Sequence, residues 1–277
     1  MADDLLERVR ASGTVVCLEL PEQHEFGLDL RTYTTGPLFR GMKLIPPGRH
    51  FVVFGNGVDR CGAFVELGAG DVSVFRWDAK TELPSGQVSD EDRARVAAAV
   101  ARMELDQGLG PYEAPTAAEW DGLTSHISAG VLRRAGIPHG TIAAPGGIGD
   151  EDEPASGMRS PAGALAPFFD GLPRVARFVQ VDPCGKRADG SAATGGRSGA
   201  ALTQFLLDRS EWLEQLLARE YADGAEASGE ESDEDRLVGE HQLAFVLFML
   251  ISSLGALEHW KARATHVLNP TCDSART

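Results

Sequence analysis

The sequence has 277 residues, 43% of them hydrophobic, and a formal net charge of −15. This length and composition provide enough apolar material for one large core or two modest ones. A negative balance of this size repels phosphate backbones, so we expect no direct binding of nucleic acid by the chain as a whole. The longest apolar stretch, Leu243 to Leu257, is interrupted by serine and glycine and falls short of the roughly 20 residues of a membrane-spanning helix. We therefore expect no membrane segment.

The first third of the chain reads as β structure. Short apolar runs rich in β-branched and aromatic residues predict four strands, at residues 14–20, 50–54, 60–67 and 72–77. Asn56-Gly57 and the segment 68–71 accept the backbone of tight turns, so the last three strands are expected to form an antiparallel meander. Four prolines between residues 21 and 47 favour an ordered crossing loop over a strand in that segment.

Two helices are predicted to close this region. The first begins after Ser89 and carries Val96, Val100 and Met103 on one face. The second begins at Thr116, whose hydroxyl and the Glu119 carboxylate match the pattern of a capping box. Because both have apolar residues at helical spacing, both are expected to pack on the sheet.

The second half of the chain predicts a linker followed by a helical domain. Residues 136–166 are rich in Gly, Pro and Ala with no apolar period, which is typical of a flexible linker. Residues 174–181 are interpreted as an isolated strand. Helices are predicted at 200–221 and 239–266, and an acidic loop at 223–236 separates them. The sequence thus predicts an α+β protein with an N-terminal antiparallel β domain and packed helices at 1–135 and an α-helical domain at 167–277.

A search for catalytic chemistry gives one alternative. His24, Glu25 and His50 fall close to the β region and could serve a metal-dependent small β-barrel enzyme, although such a site needs three or four converging ligands. The Gly185-Lys186 pair lacks the first glycine and the hydroxyl of a phosphate-binding loop, and there is no Gly-x-Ser-x-Gly elbow. No catalytic residue, metal or cofactor is expected under the main interpretation.

Binding chemistry is more prominent than catalytic chemistry. Phe39, Arg40, Met42 and Lys43 lie beside a pair of prolines, and a stiffened loop with arginine and aromatic side chains is suited to docking a partner. In the other interpretation Phe39 and Met42 plug the end of the β core and Arg40 pairs with a carboxylate. Direct RNA binding by the Arg40/Lys43 loop is a third hypothesis. Trp260 is a second candidate for partner binding or, alternatively, a core anchor.

The acidic loop contains two candidate modification sites. Ser228 and Ser232 are each followed by acidic residues, a pattern that acid-directed kinases accept. Added phosphate would increase the negative charge of the loop and repel an acidic partner surface. The alternative is an unmodified, solvated loop.

Several strings in this sequence resemble the Aar-two family of splicing factors. They are Glu25-Phe26-Gly27-Leu28-Asp29, the stretch from Gly36 to Phe51, Val74-Phe75-Arg76-Trp77, the stretch from Leu105 to Tyr112 followed by Trp120 and Leu123-Thr124, the stretch from Gly239 to Val246, and Glu258-His259-Trp260-Lys261. The resemblance covers residues 13–130 and 200–262, and it leaves out the linker and the acidic loop.

The resemblance implies a β-sandwich-like N-terminal domain joined to an α-helical C-terminal domain. It also implies a non-enzymatic role in assembly of the U5 small nuclear ribonucleoprotein, in the nucleus and cytoplasm. In that role the factor binds the RNase H-like and MPN domains of the large scaffold protein Prp-eight and keeps the Brr-two helicase and RNA away. Family members continue with further helices, so the second domain is expected to be shortened, with exposed apolar surface.

Overall fold

The computed structural model of the protein has two sheets packed face to face and covered by helices on both outer faces. It describes residues 10–56, 59–85, 88–145, 174–179, 198–201, 203, 210–221 and 232–266. The predicted α+β layout, with sheets in the N-terminal region and helices in the C-terminal region, is confirmed. Among the described helices, none combines the length and hydropathy needed to cross a bilayer.

The first sheet has five strands in the order β8-β7-β1-β4-β9. Its strands are β1 (Gly13–Leu18), β4 (Gly41–Ile45), β7 (Val72–Asp78), β8 (Leu83–Ser85) and β9 (Leu109–Pro111). The β1–β7 and β4–β9 pairs are parallel, and β1–β4 and β7–β8 are antiparallel. The expectation of a purely antiparallel domain is therefore wrong for this sheet.

The second sheet has six strands in the order β11-β10-β6-β5-β2-β3. Its strands are β2 (Glu25–Leu28), β3 (Arg31–Thr34), β5 (Gly48–Gly55), β6 (Arg60–Leu67), β10 (Ala143–Ala144) and β11 (Arg174–Val175). The predicted hairpin at Asn56 is confirmed, since β5 and β6 pair antiparallel on either side of it.

Alternating side chains explain why the central strands read as continuous apolar runs. In β5, Val52 and Phe54 face the core between the two sheets, whereas Phe51 and Val53 face a second core on the outer side. In β1, Val15 faces the inter-sheet core and Val16 faces the other side, where the helix at Asp90–Ala101 covers it. Both faces of each sheet are thus buried, which removes the polar–apolar alternation typical of half-exposed strands.

Two predictions for the β region are wrong. The meander breaks after β6, because the turn at 68–71 leads β7 into the other sheet, where the Asp71 carbonyl accepts a hydrogen bond from the Thr14 amide at 2.9 Å. The proline-containing segment 21–47 is not a crossing loop, since it contains β2, β3 and all of β4. Phe26 and Leu28 are fully buried in the inter-sheet core, so burial outweighs the turn-forming composition around them.

The helices after the sheets are α1 (Asp90–Ala101), α2 (Ala117–Thr124) and α3 (Ala129–Arg134). Helix α1 begins as predicted, with the Ser89 hydroxyl accepting the amide of Asp92 at 3.1 Å. Val96 is buried on the first sheet, but Met103 lies beyond the helix and is 48% exposed. The predicted capping box at Thr116 is absent, because a 3-10 turn precedes α2 and the Thr116 hydroxyl bonds to the Glu113 carbonyl instead.

The first residues of the predicted linker belong to the N-terminal sandwich. Ile137, Ile142 and Ala143 are buried, and Ala143 pairs with Gly62 of β6. Residues 136–145 are therefore packed and not a flexible connection. The rest of the predicted linker, 146–166, lies outside the described residues.

The C-terminal region contains α4 (Ser210–Glu220), α5 (Asp233–Ile251) and α6 (Leu254–His266). The single helix predicted at 239–266 is wrong: Ser252 has a φ of 59° and ends α5, and the Ser253 hydroxyl accepts the Ala256 amide at 3.3 Å, at the start of α6. The acidic loop also ends earlier than predicted, since residues 233–236 form the first turn of α5. The loop residues before 232 lie outside the described residues.

Helix α5 is central, as its apolar composition predicts, and it packs on the outer face of the second sheet. Leu243, Val246 and Leu247 share a core with Phe51 and Phe64. The helix approaches the N-terminal region closely, because a Cβ atom on Gly239 would lie 2.0 Å from the carbonyl oxygen of His126. The Gln242 amide secures the same contact, since its Oε1 accepts the His126 amide at 2.8 Å.

We predict that Gly239→Ala lowers the free energy of unfolding by about 2–3 kcal/mol, because the added methyl group clashes with backbone that cannot yield. Gly122→Ala is the matched control, since a Cβ there meets nothing within 4 Å in an exposed helical position. The control should stabilise the protein by up to about 1 kcal/mol. Urea denaturation measures both, and equal stability of the two variants would contradict the close approach.

Candidate interaction surface

The loop between β3 and β4 holds most of the residues that the sequence singles out for partner binding. A turn closes it, with the Phe39 amide donating to the Gly36 carbonyl at 3.1 Å. Backbone hydrogen bonds fix the end of the loop at Arg40. Its amide donates to the Gly108 carbonyl at 2.8 Å, and its carbonyl accepts the Cys17 amide at 2.8 Å. The loop is thus held to the edge of the first sheet by backbone hydrogen bonds.

The side chains of this loop divide into exposed and buried groups. Leu38 is 70% exposed, and Arg40 is exposed with its Nη1 donating only to the neighbouring Phe39 carbonyl at 2.8 Å. Phe39 is half-buried, with its ring 4.8 Å from that of Phe26. Met42 is 4% exposed and belongs to the inter-sheet core. The structure therefore places Met42 in the core, as in the interpretation that it plugs the end of the β core, and partner binding by this loop stays a prediction.

Lys43 and Trp260 are also engaged within the chain. The Lys43 ammonium forms an ion pair with the Asp106 carboxylate in the 3-10 turn before β9. Trp260 is half-buried against the core around α5, with its ring 5.8 Å from that of His241 and 5.5 Å from that of Phe245. The structure thus leaves Leu38 and Arg40 as the most exposed members of the loop, with Trp260 in a different core cluster.

The sequence does not predict the exposure of two apolar residues, Leu38 in this loop and Met103 beyond α1. Leu38 stands between Pro37 and Phe39 and was counted only as part of the signature string. Met103 has a φ of 60° and leads into the turn of Asp106, which Lys43 binds. The position of Met103 depends on where α1 ends, and helix ends are among the least predictable features of a sequence.

The three residues of the metal-site alternative are not brought together. His24 packs edge-on against Trp77 at 5.1 Å, and Glu25 forms a bidentate ion pair with Arg60 at 2.8 and 3.1 Å. Both ring nitrogens of His50 are occupied by other partners. Within the described residues, no group of three or more His, Cys, Asp and Glu side chains could hold a metal ion.

His50 belongs to a buried polar cluster in the β region. Its Nδ1 lies 2.7 Å from the Asp29 carboxylate, which also accepts the Tyr112 hydroxyl at 2.8 Å and the Phe51 amide at 2.9 Å. Its Nε2 lies 2.8 Å from the Pro46 carbonyl, so both nitrogens face acceptors. Burial alone lowers the pKa of His50, but the hydrogen bond to Asp29 and its charge outweigh burial and raise the net pKa. The geometry therefore fits an imidazolium paired with Asp29.

A second buried polar cluster joins the C-terminal helices. The Arg263 guanidinium donates to Glu240 at 2.7 Å, to the Tyr221 hydroxyl at 2.5 Å and to the Leu237 carbonyl at 2.9 Å. The Glu240 carboxylate also accepts the amide of Val179 at 2.5 Å. Burial and the charge of Glu240 raise the pKa of the Tyr221 hydroxyl, which keeps it a neutral donor. This cluster ties α4, α5, α6 and the segment 174–179 together.

Ser232, one of the two predicted phosphorylation sites, is the N-cap of α5. Its hydroxyl accepts the Asp235 amide at 3.1 Å, and the Asp235 carboxylate accepts the Ser232 amide at 3.4 Å, which forms a capping box. The residue is exposed at the end of the acidic segment. Ser228 lies outside the described residues.

Comparison with known proteins places the chain in a family. Residues 11–136 match the model of the AAR2 N-terminal domain, and residues 189–276 match that of the AAR2 C-terminal repeat region. The Protein AAR2 homolog of Mus musculus is 31% identical over 95% of this chain and 69% of the relative. The Homo sapiens homolog is 30% identical over 99% of this chain and 73% of the relative. The chain belongs to the AAR2 family.

A more distant AAR2 relative supports the same assignment. The Protein AAR2 homolog of Caenorhabditis elegans is 32% identical over 45% of this chain and 35% of the relative. The AAR2 family is one of splicing-related assembly factors. The resemblance inferred from the sequence is therefore confirmed.

The AAR2 signature in α5 and α6 has a structural explanation. Gly239 permits the close approach of α5 to the N-terminal region, and Gln242 holds that contact. Glu240 pairs with Arg263 of α6. His259 is buried and stacks on Phe178 at 4.4 Å, and burial, with the charge of Arg263, lowers its pKa to about 2. These signature residues join segments; none of them needs a catalytic role.

We predict that Arg263→Met lowers the free energy of unfolding by about 3–5 kcal/mol, because it leaves the Glu240 carboxylate buried without its ion partner. Replacing both members, in Glu240→Leu/Arg263→Met, should recover part of the loss. Lys261→Met is the control, since the Lys261–Glu258 pair is exposed and contributes about 0–1 kcal/mol. Chemical denaturation of the four proteins tests this, and a stable single Arg263 variant would contradict the account.

We also predict a pH dependence that originates at His50. Because its folded pKa is raised above the ordinary value of 6.5, its stabilising contribution is complete below that pH and is lost as the pH rises through the folded pKa. The difference in free energy of unfolding between the native chain and His50→Asn should therefore be larger at about pH 5.5 than at about pH 9.

His139 supplies a comparison of opposite sign. Burial, with the charge of Arg49, lowers the pKa of His139, so its neutral form is the one that the fold favours. The difference in free energy of unfolding between the native chain and His139→Asn should therefore be larger at about pH 9 than at about pH 5.5. Urea denaturation at the two pH values measures both variants, and a pH-independent effect of His50→Asn would rule out the buried ion pair.

Proposed function

We propose that this chain is an assembly factor for the U5 small nuclear ribonucleoprotein in pre-mRNA splicing, acting in the nucleus and cytoplasm. In this proposal it binds the RNase H-like and MPN domains of the scaffold protein Prp-eight and thereby holds off the Brr-two helicase. The observation that carries the proposal is membership of the AAR2 family over both parts of the chain. The chain would act by occupying a surface, without a chemical step.

The loop from Gly36 to Lys43 is the proposed contact with the scaffold. Leu38 offers an exposed apolar side chain and Arg40 an exposed cation that no carboxylate of the described residues neutralises. Because backbone hydrogen bonds to Gly108 and Cys17 already order the loop, little conformational entropy is lost on docking. Phe39 and Lys43 add partly exposed atoms at its margin, and the buried Met42 supports it from below.

Phosphorylation would modulate this association in the same proposal. A phosphate on Ser232 would replace the hydroxyl that caps α5 and would lie beside three acidic residues of the first turn. Together with a phosphate on Ser228, it would make the acidic segment more negative and weaken binding to any acidic surface of the scaffold.

The test is a pull-down with the immobilised RNase H-like domain of Prp-eight. We expect the native chain to be retained and Leu38→Asp/Arg40→Glu to bind about tenfold more weakly, since a loss of about 1.4 kcal/mol at one contact suffices for that. Leu254→Asp/Arg102→Glu is the matched control, because Leu254 is 49% exposed and Arg102 lies at the end of α1.

Each outcome of the pull-down decides a different claim. Absence of any complex with the native chain would overturn scaffold binding. Equal retention of the native chain and of the Leu38/Arg40 variant would remove the loop from the interface. Weakening by the Leu254/Arg102 control to the same degree would attribute the effect to charge or stability and not to the loop.

A further inference from the structure

Three exposed arginines lie on two segments that meet where α3 ends and the segment 174–179 passes it. Arg133 is in the last turn of α3, and the Arg177 amide donates to the Ala135 carbonyl at 2.9 Å. Arg174 begins β11, with its amide donating to the Ile142 carbonyl at 2.7 Å. All three side chains are exposed. We call this set, Arg133, Arg174 and Arg177, the Arg177 surface.

Contacts with the protein core hold the backbone that carries Arg174 and Arg177. Ala176 is 4% exposed in the core around α5, and Phe178 stacks on His259 at 4.4 Å. The next residue, Val179, donates its amide to the buried Glu240 carboxylate. The segment therefore holds its charged side chains at the surface through contacts on both sides of Arg177.

The arginines of this surface differ from most of the other described arginines in having no carboxylate partner among the described residues. Elsewhere, arginine–carboxylate ion pairs are common; those described are Arg31–Glu113, Arg49–Glu66, Arg60–Glu25, Arg76–Asp92, Arg95–Asp92, Arg102–Glu104, Arg236–Asp233 and Arg263–Glu240. Three exposed arginines that pair with no carboxylate of the described residues are unexpected in a chain with a net charge of −15.

Local structural roles explain only part of this group. A cation in the last turn of α3 compensates the helix dipole, which accounts for Arg133 and its neighbour Arg134. Arg134 is otherwise occupied, since its guanidinium bonds the Glu220 carbonyl and lies 4.4 Å from the centre of the Tyr221 ring. Arg174 and Arg177 are not in a helix, so the dipole gives no reason for their charge.

We propose that the Arg177 surface docks a carboxylate-rich segment of a protein partner. This inference rests on the proposed function, and it adds the chemistry of one contact with the scaffold. The planar guanidinium matches a carboxylate in bidentate geometry, and a cationic patch on an acidic chain directs an acidic partner to one face. None of the exposed large apolar residues (Leu38, Met103, Val238 and Leu254) belongs to this surface, so the contact is electrostatic.

An acidic protein segment fits this surface better than RNA does. RNA is a long polyanion whose phosphates would extend past the three arginines onto a chain that is negative as a whole. A short acidic segment can end where the arginines end. RNA is therefore the competing outcome in the experiment.

The experiment compares the native full chain with Arg133→Glu/Arg174→Glu/Arg177→Glu. The control is Lys80→Glu/Arg95→Glu/Arg102→Glu, which changes the net charge equally at exposed positions on and near α1. Isothermal titration calorimetry measures binding to a Prp-eight fragment that contains the RNase H-like and MPN domains. Fluorescence anisotropy then measures binding to a poly-glutamate peptide and to an oligouridylate of equal charge.

We expect the Arg177-surface variant to bind the fragment at least about tenfold more weakly than the control variant, with native affinity falling as salt is added. Equal affinity of the two variants overturns the inference and leaves the proposed function intact. If the native chain does not bind the fragment, the proposed function fails, and binding to the poly-glutamate peptide then tests the surface. Peptide binding by the native chain that is lost in the Arg177-surface variant supports the surface. No peptide binding by the native chain overturns the inference. Tighter binding of oligouridylate than of poly-glutamate also overturns it.

Discussion

The burial of one apolar sheet face determines how this chain is organised. Phe51, Val53 and Phe64 point away from the core between the sheets, and without a cover they would expose a large aromatic surface to water. Helix α5 supplies that cover with Leu243, Val246 and other apolar residues, and α2 and α3 complete it. The N-terminal sandwich and the C-terminal helices therefore share a core, although separate family models describe them.

Both proposed contact regions depend on this arrangement. The Arg177 surface forms only because the segment 174–179 is held between α3 and the polar cluster of Glu240 and Arg263. The loop at Leu38 depends on the other layer, where its hydrogen bonds to β1 and to the turn before β9 fix it. A factor that works by occupying a partner needs surfaces that are ordered before binding, since ordering on contact would reduce affinity.

The sequence predicts those elements whose signals are local. The hairpin at Asn56, the start of α1 at Ser89 and the central position of α5 follow from turn residues, caps and apolar runs. The transfer of β7 into the other sheet was not predictable, because parallel pairing with β1 depends on residues more than fifty positions away. Prolines around β2 to β4 concealed short strands, and no sequence pattern marks the left-handed Ser252 that separates α5 from α6.

The candidate sites show the same division. The exposure of Arg40 is consistent with its place in a loop, whereas the burial of Met42 and the pairing of Lys43 with Asp106 come from tertiary contacts. The grouping of Arg133 with Arg177 joins segments that are distant in sequence.

The central claim, a core shared by both regions, is tested most directly by native-state hydrogen exchange at the amides of Val53 in β5 and Leu247 in α5. The account predicts that both exchange with the same free energy, equal to that of global unfolding; exchange of Leu247 through a separate opening of lower free energy, with Val53 still protected, would contradict it.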